Sequence, residues 1–190
     1  MTSMIGYGGI ELANAFRTVR KNTVQIAEDI PEDRYEFVAA PGVRSVSSML
    51  RHIAYAPMVQ TDMHRERRIT TLKGYDFAAI TAKRAAEEKQ PRSKSEIIAL
   101  LKTAGERFAG WLQSLSPEFL AETFTDATGA NPRTRFESLL SAKEHEMHHR
   151  AQLMLIERML GIVPHLTRQR EERIRQRQAA AVLASKAASA

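Results

Sequence analysis

The sequence predicts an all-α protein built as a four-helix bundle, and three observations favour that fold class. Four segments carry apolar residues at alternating spacings of three and four, which is the period of one helix face. No pair of segments shows the alternation of apolar and polar residues that is typical of paired strands. The chain has 190 residues, of which 43 % are hydrophobic, enough to fill one bundle but too few for two comfortable domains.

The first two predicted helices lie on either side of a loop that contains Pro41 and Gly42. The first ends at Pro31, because proline has no amide proton with which to continue a helix. Its apolar face is formed by Leu12, Phe16, Val19, Thr23, Ile26 and Ile30. Ser45 has the position of an N-cap for the second helix, and Pro57 is expected to kink it. The apolar face of that helix contains Val46, Met49, Leu50 and Ile53.

A polar segment at residues 62–92 precedes the third long helix, and we interpret it as an insertion with one short helix near 77–88. Ser93 or Ser95 has the position of an N-cap for the third helix, which ends before Pro117. Its apolar face is formed by Ile97, Leu101, Ala104, Phe108, Trp111 and Leu115. Such a long insertion favours a bundle in which some helices are joined by crossover connections.

The fourth predicted helix covers about residues 134–160, and Gly161 with Pro164 stops it. The bundle is therefore expected to occupy residues 1–166. Residues 167–190 form a basic, Arg/Ala-rich extension that has no wide apolar face. We expect this tail to be frayed or docked on a partner.

Most of the net positive charge lies in that tail. The formal net charge of the chain is +6, and the tail alone carries six basic and two acidic residues. A charge run of this kind is typical of a solvated helix, and the bundle itself is nearly neutral. Binding of nucleic acid through the tail is therefore a less favoured alternative function.

Composition excludes several classes of protein. The chain has no cysteine, which excludes a disulfide scaffold, thiolate metal sites and a cysteine nucleophile. No apolar run approaches the roughly 18 residues of a membrane-spanning helix. The start of the chain has neither the basic residue nor the apolar stretch of a signal peptide. We therefore expect a cytoplasmic protein that has no membrane partner.

Three of the six histidines lie within residues 145–149. At about 100° per residue, His145 and His149 are about 40° apart on one helix face, so they can bind one metal ion. His148 is about 60° from His145 and about 100° from His149, which places it less well. The face that holds the pair also contains Ser138, Ala142, Leu153, Ile156 and Leu160. It should therefore point into the bundle, where the pair either binds a metal or forms ordinary hydrogen bonds.

A metal site needs at least a third ligand, and His52 is the best candidate in the sequence. It lies beside the apolar face of the second helix, from which a bundle can deliver one imidazole to a pair on a facing helix. His64 is surrounded by charged residues and is expected on the solvated surface. His165 follows a proline and is expected in a loop.

The same segment also matches H-E-x-x-H, the pattern in which a glutamate serves as the general base of a zinc peptidase. The extended form of that pattern requires glycine and histidine where this chain has Gln152 and Leu155. The sequence also lacks a strand pattern that could bind a peptide by edge pairing. We therefore disfavour a peptidase and consider Glu144 or Glu146 as a hydrogen-bond partner that orients an imidazole.

Two separated motifs carry a resemblance to a known family. The run HEMHHRAQL at residues 145–153, followed by LGIVP at 160–164, resembles the H-x-x-H-H-R-G-Q-L and L-G-x-x-P signature of the DinB/YfiT-like superfamily. The first half resembles the loop and second helix of that family at IPED (30–33), PGVRSV (41–46) and MLRHIA (49–54). The resemblance spans about residues 10–165 and excludes the tail. Ala151 departs from it, because the family often has glycine there.

The resemblance implies a four-helix bundle, often a homodimer, with a divalent metal held by His52, His145 and His149. It also implies a metal-dependent enzyme of the thiol-dependent transferase or hydrolase type that acts on an unknown small molecule. Zinc, nickel and iron all suit imidazole ligands. Because the chain has no cysteine, a reacting thiol would have to be a low-molecular-weight thiol from outside the protein. The alternative is a non-catalytic, stress-related bundle protein.

Overall fold

The structure is a computed structural model that describes residues 6–188, and most of these residues are helical. In chain order the α-helices are α1 (Gly9–Asp29), α2 (Val46–Tyr55), α3 (Met58–Thr61), α4 (Phe77–Lys89), α5 (Lys94–Gln113), α6 (Pro117–Ala121), α7 (Arg135–Met159) and α8 (His165–Ala188). The other described elements are a 3-10 turn (Glu32–Arg34), a π-helical turn (Asp62–Glu66) and an antiparallel pair of short strands, β1 (Thr123–Phe124) and β2 (Arg133–Thr134). The predicted all-α fold class is therefore confirmed.

Four helices, α1, α2, α5 and α7, form the bundle. Helices α1 and α2 each pack against both α5 and α7, so the consecutive helices α1 and α2 occupy opposite corners. Two groups of buried side chains fill the interior, with Ile26, Leu50 and Leu153 in one group and Phe16, Phe108 and Leu139 in the other. This crossover arrangement places α2 beside α7, and the candidate site lies between those two helices.

Local signals set the ends of the bundle helices where the sequence predicts them. The side chains of Ser45, Ser93 and Thr134 accept hydrogen bonds from backbone amides at the starts of α2, α5 and α7. Helix α7 ends at Met159, and Gly161, two residues later, has a φ of 78° that glycine tolerates best. The Gly161 N–H donates to the carbonyl oxygen of Arg158 at 3.0 Å, which satisfies one of the free carbonyls at the helix end.

The segment that follows Pro57 differs from its prediction. Helix α2 ends at Tyr55, but the chain stays helical through α3 and then widens into the π-helical turn at Asp62–Glu66. A π-helical turn changes the direction of its side chains relative to a regular helix. His64 therefore points inward and is fully buried, at 0 % exposure. The prediction of a solvated His64 was wrong, because the charged residues that follow it, at 65–68, are exposed while its own ring turns inward.

The C-terminal extension is helical in its described part and is attached at its start. His165, which was expected in a loop, is instead the buried first residue of α8. Its Nε2–H donates to Oδ1 of Asn22 on α1 at 3.2 Å, and Arg168 pairs with Asp29 at 2.6 Å. Helix α8 runs through residue 166 without a break, so the boundary predicted between residues 166 and 167 lies inside a helix.

A buried ion pair joins all four bundle helices. Arg20 on α1 and Glu146 on α7 are only 4 % and 2 % exposed, and two hydrogen bonds of 2.8 and 2.9 Å link them. The same guanidinium donates to the carbonyl oxygens of Leu101 on α5 at 2.8 Å and of Ile53 on α2 at 3.3 Å. Gly105 on α5 leaves the necessary space, because a Cβ atom there would lie 2.7 Å from Cγ of Arg20.

We expect Arg20→Met to lower the free energy of unfolding by about 3–5 kcal/mol, because it leaves the Glu146 carboxylate buried without a cation. Urea unfolding at pH 7 measures this change. The matched control is Arg17→Met on the same helix, which removes a solvent-exposed pair with Glu106 and should cost under about 1 kcal/mol. The double variant Arg20→Met/Glu146→Met should recover most of the loss. Equal effects of the two single changes would contradict a special role for the buried pair.

Candidate metal centre

Three histidines from α2 and α7 converge on one point. The Nε2 atom of His145 lies 3.1 Å from Nε2 of His52 and 3.2 Å from Nε2 of His149. One ligand atom from each of the three lies within 4.8 Å of the others. His52 is buried, His145 and His149 are half-buried, and His148 faces solvent. The structure thus brings together the three histidines that the sequence singles out.

The glutamate of the H-E-x-x-H pattern is turned away from the imidazoles. Glu146 lies in the ion pair with Arg20, so its carboxylate is not available as the general base of a peptidase. For the same reason the proposal that Glu146 orients an imidazole was wrong. Glu144, the other candidate for that role, is exposed.

Two other residues orient the rings. The Nδ1 atom of His52 donates to Oε1 of Glu88 on α4 at 2.9 Å, and Nδ1 of His149 donates to Oε1 of Gln152 at 2.8 Å. In the neutral rings these hydrogen bonds hold the proton on Nδ1. The lone pairs of both Nε2 atoms therefore point toward His145.

His145 cannot satisfy both of the lone pairs that face it. A neutral imidazole carries one proton, so its Nε2 atom can donate to one of the two neighbours at most. Its Nδ1 atom is buried and has no hydrogen-bond partner among residues 6–188. At least one Nε2 lone pair is therefore left unsatisfied by the described residues. One cation bound by the three Nε2 atoms would satisfy all three lone pairs, with the proton of His145 on Nδ1.

Burial keeps the three rings neutral. Desolvation, followed by the charges of Arg44 and His149, lowers the pKa of His52 from 6.5 to about 3. Desolvation and the neighbouring His149 lower the pKa of His145 to about 4. Burial also lowers the pKa of His149. Neutral imidazole is the form that binds metals, so the three donors are in the binding form at pH 7.

The donor set fits a divalent transition metal. Two nitrogen atoms that each lie about 2.1 Å from one ion are about 3.0–3.4 Å apart for bond angles between about 90° and 109°. The two Nε2 separations of 3.1 and 3.2 Å lie within that interval. Three imidazoles leave coordination positions for water or substrate, as in catalytic sites. Zinc, nickel and iron are all compatible with these ligands.

Comparison with known proteins gives the family. Residues 15–153, well over half of the chain, match the sequence model of the DinB superfamily. The chain belongs to the DinB superfamily. A curated relative, YjoA from Bacillus subtilis (strain 168), is 22 % identical over 152 residues, which cover 80 % of this chain and 90 % of YjoA. The family match includes all three converging histidines.

Solved structures of DinB-like proteins have the same fold as this superfamily member. YfiT from Bacillus subtilis, described as "a probable metal-dependent hydrolase with an unusual four-helix bundle topology", has a TM-score of 0.64 at 18 % identity and covers 85 % of this chain and 93 % of its own. The DinB-like YjoA structure from Bacillus subtilis has a TM-score of 0.59 at 23 % identity, with coverage of 80 % and 92 %. A DinB-like protein from Bacillus cereus has a TM-score of 0.61 at 17 % identity, with coverage of 81 % and 93 %. The predicted resemblance is confirmed at the level of family and fold.

The buried His64 lies in a different polar group. Arg135 donates to its Nδ1 atom at 3.0 Å, so its proton is on Nε2, which donates to Oγ of Ser138 at 2.9 Å. Desolvation and the charge of Arg135 lower the pKa of His64 to about 4. Both of its ring nitrogens are satisfied, and it therefore contributes no ligand to the candidate metal centre.

We expect the metal-free protein to lose stability as the pH falls from 6.5 to 4. The folded-state pKa values of His52, His145 and His64 are about 3, 4 and 4, whereas in the unfolded chain these rings take up protons near pH 6.5. The unfolded state therefore binds more protons in this interval, and the free energy of unfolding decreases as the pH falls. Urea unfolding in the presence of a chelator, at several pH values, measures the slope.

The controls for this slope are histidine variants. His52→Asn/His145→Asn should flatten the pH dependence, because two buried imidazoles are removed. His148→Asn removes an exposed imidazole and should leave the loss of stability at acidic pH unchanged. A free energy of unfolding of the wild type that stays constant from pH 6.5 to 4 would contradict the lowered pKa values of the buried rings.

Proposed function

We propose that this protein is a metal-dependent enzyme whose reaction takes place at the three-histidine centre. The observation that carries the proposal is the convergence of three neutral Nε2 atoms, two of them with lone pairs directed by hydrogen bonds on Nδ1. The description of YfiT, which has the same fold, as a probable metal-dependent hydrolase supports it. A divalent metal held by His52, His145 and His149 would supply a positive charge with open coordination positions, which lowers the pKa of a water or a thiol.

The chain's own residues position the ligands for this chemistry. Glu88 and Gln152 fix the tautomer and the direction of two rings, so that these rings do not have to reorient when a metal binds. Arg84 forms an ion pair with the same carboxylate, and its Nε atom lies 3.2 Å from Oε1 of Glu88. Because all three ligands are neutral, the protein leaves the charge of the ion largely available to act on a substrate.

The reaction class that this arrangement favours is hydrolysis, or transfer to or from a low-molecular-weight thiol. Both reactions use a nucleophile that becomes more acidic near a cation. The chain has no cysteine, so a thiol nucleophile would come from a cosubstrate. No helix within residues 6–188 is long and apolar enough to cross a membrane. The homodimer, the small-molecule partner and the cytoplasmic location stay predictions.

We expect the purified, untagged protein to retain about one metal ion per chain after it is supplied with zinc, nickel or iron and desalted. His52→Ala, His145→Ala and His149→Ala should each reduce the metal content to background, because each removes one of three ligands. His148→Ala, which removes an exposed neighbouring imidazole, should retain the metal. Elemental analysis measures the content, and circular dichroism verifies that each variant is folded. A wild-type content below about half an equivalent would overturn the site.

The same variants separate an enzyme from a non-catalytic metal-binding bundle. The metal-loaded wild type and His148→Ala should turn over members of a panel of esters, amides and thiol–electrophile pairs. The three ligand variants should not. Full metal occupancy without turnover on any member of such a panel would favour the non-catalytic alternative.

We expect Glu88→Ala to weaken metal binding by about 10–100-fold while all three ligands remain in place, because the His52 ring loses the acceptor that orients it. Competition with a chromophoric chelator measures the affinity. The neighbouring change Glu87→Ala is the matched control, since Glu87 accepts a hydrogen bond from Tyr55 and does not contact the histidines. Equal losses in the two variants would indicate a general effect of α4 instead of a contact with His52.

A further inference from the structure

The structure also has a concave site outside the candidate metal centre. A cavity of about 450 Å³ opens between α2, α3, α4 and α5, and His52, His145 and His149 do not line it. Its volume is within the range of sites that bind small organic molecules. Its apolar surface is formed by Ala54, Ile80, Ala104, Phe108 and Trp111, among others. The rings of Phe108 and Trp111 favour the binding of a planar, apolar group against this surface.

Three cationic side chains line the same cavity. Arg65 belongs to the π-helical turn, Lys83 to α4 and Arg107 to α5, and all three are exposed. In the described part of the chain, none of the three side chains forms an ion pair or a hydrogen bond. They are therefore available to a ligand without the loss of an ion pair or a hydrogen bond.

The acidic residues of the cavity compensate little of this charge. Asp62 accepts a hydrogen bond from the hydroxyl of Tyr75 at 2.6 Å, and Glu87 accepts one from the hydroxyl of Tyr55 at 3.2 Å. Each of these two carboxylates is also paired with an arginine outside the set of three cations. Glu66 is the cavity carboxylate that has no such partner within residues 6–188. The unpaired charge of the cavity is therefore positive.

We propose that this cavity is a binding site for a low-molecular-weight organic anion with an apolar, aromatic body and one carboxylate or sulfonate group. The body would lie against Phe108 and Trp111, where its burial is favourable. The anionic group would be met by Lys83 and Arg107 through charge-assisted hydrogen bonds. Neither an inorganic anion nor an uncharged aromatic molecule uses both features.

The cavity and the metal centre are separate sites that are both bordered by α2 and α4. On α4, Lys83 and Glu87 line the cavity, whereas Glu88 contacts His52. The anion site is therefore built without any metal ligand. The proposal does not depend on metal binding and can be tested on the metal-free, full-length protein.

Two fluorescent probes with the same aromatic body test the proposal. Anilinonaphthalene sulfonate carries the anionic group, and phenylnaphthylamine lacks it. We expect the wild type to bind one molecule of the sulfonate per chain, more tightly than the uncharged probe. Lys83→Gln and Arg107→Gln should each weaken binding of the sulfonate by about three- to tenfold and leave the uncharged probe unaffected. Titration by fluorescence at low salt gives the dissociation constants and the stoichiometry.

The control and the blocking variant locate the site. Lys21→Gln removes the same charge from an exposed position of α1 outside the cavity and should not change binding. Ala104→Phe fills the cavity and should abolish binding of both probes. Weakening by Lys21→Gln equal to that by Lys83→Gln would overturn the proposal, as would equal affinities of the two probes. Sulfonate binding that survives in a folded Ala104→Phe protein would also overturn it. If Ala104→Phe does not fold, the charge variants still decide the question.

Discussion

The buried pair of Arg20 and Glu146 is the interaction on which the geometry of this protein depends. Glu146 follows His145 directly and lies about 100° from it around α7. Because the Glu146 carboxylate is held on Arg20, the rotation of α7 is set, and with it the direction of His145 and His149 toward α2. Arg20 also donates to backbone oxygens of α2 and α5, so a single guanidinium links all four bundle helices. This ion pair thereby positions the imidazoles of His145 and His149.

The three candidate ligands could be predicted from sequence because helical spacing is a local property. His145 and His149 share a face at any position of a regular helix, and His52 lies beside an apolar stripe that must face the core. Gln152 stands three positions after His149, a spacing that could have identified it as a ring partner. Glu88 gave no such signal, because only the packing of α4 against α2 brings it to His52. The spacing of residues in the sequence also could not show that Glu146 forms an ion pair with the buried Arg20.

Most bundle-helix limits were predictable for the same local reason, since Ser45, Ser93 and Gly161 mark helix ends by their own chemistry. The prediction failed where the backbone leaves the regular helical period. The prediction that His64 lies on the surface rests on the charged residues around it in the sequence. The π-helical turn instead directs its ring toward Arg135 and Ser138. Burial there depends on partners far along the chain, which a window of local sequence does not contain.

Helix α4 connects the metal centre to a weakly embedded part of the fold. Of its 13 residues only Ile80 is buried, yet it carries Glu88. A helix held by so little apolar surface detaches at a lower free energy than the core helices do. Each such opening withdraws Glu88 from His52 and releases the imidazole to rotate or to exchange its ring proton. The ligands thus lie on core helices, while the lifetime of the hydrogen bond between His52 and Glu88 is set by the local opening of a peripheral helix.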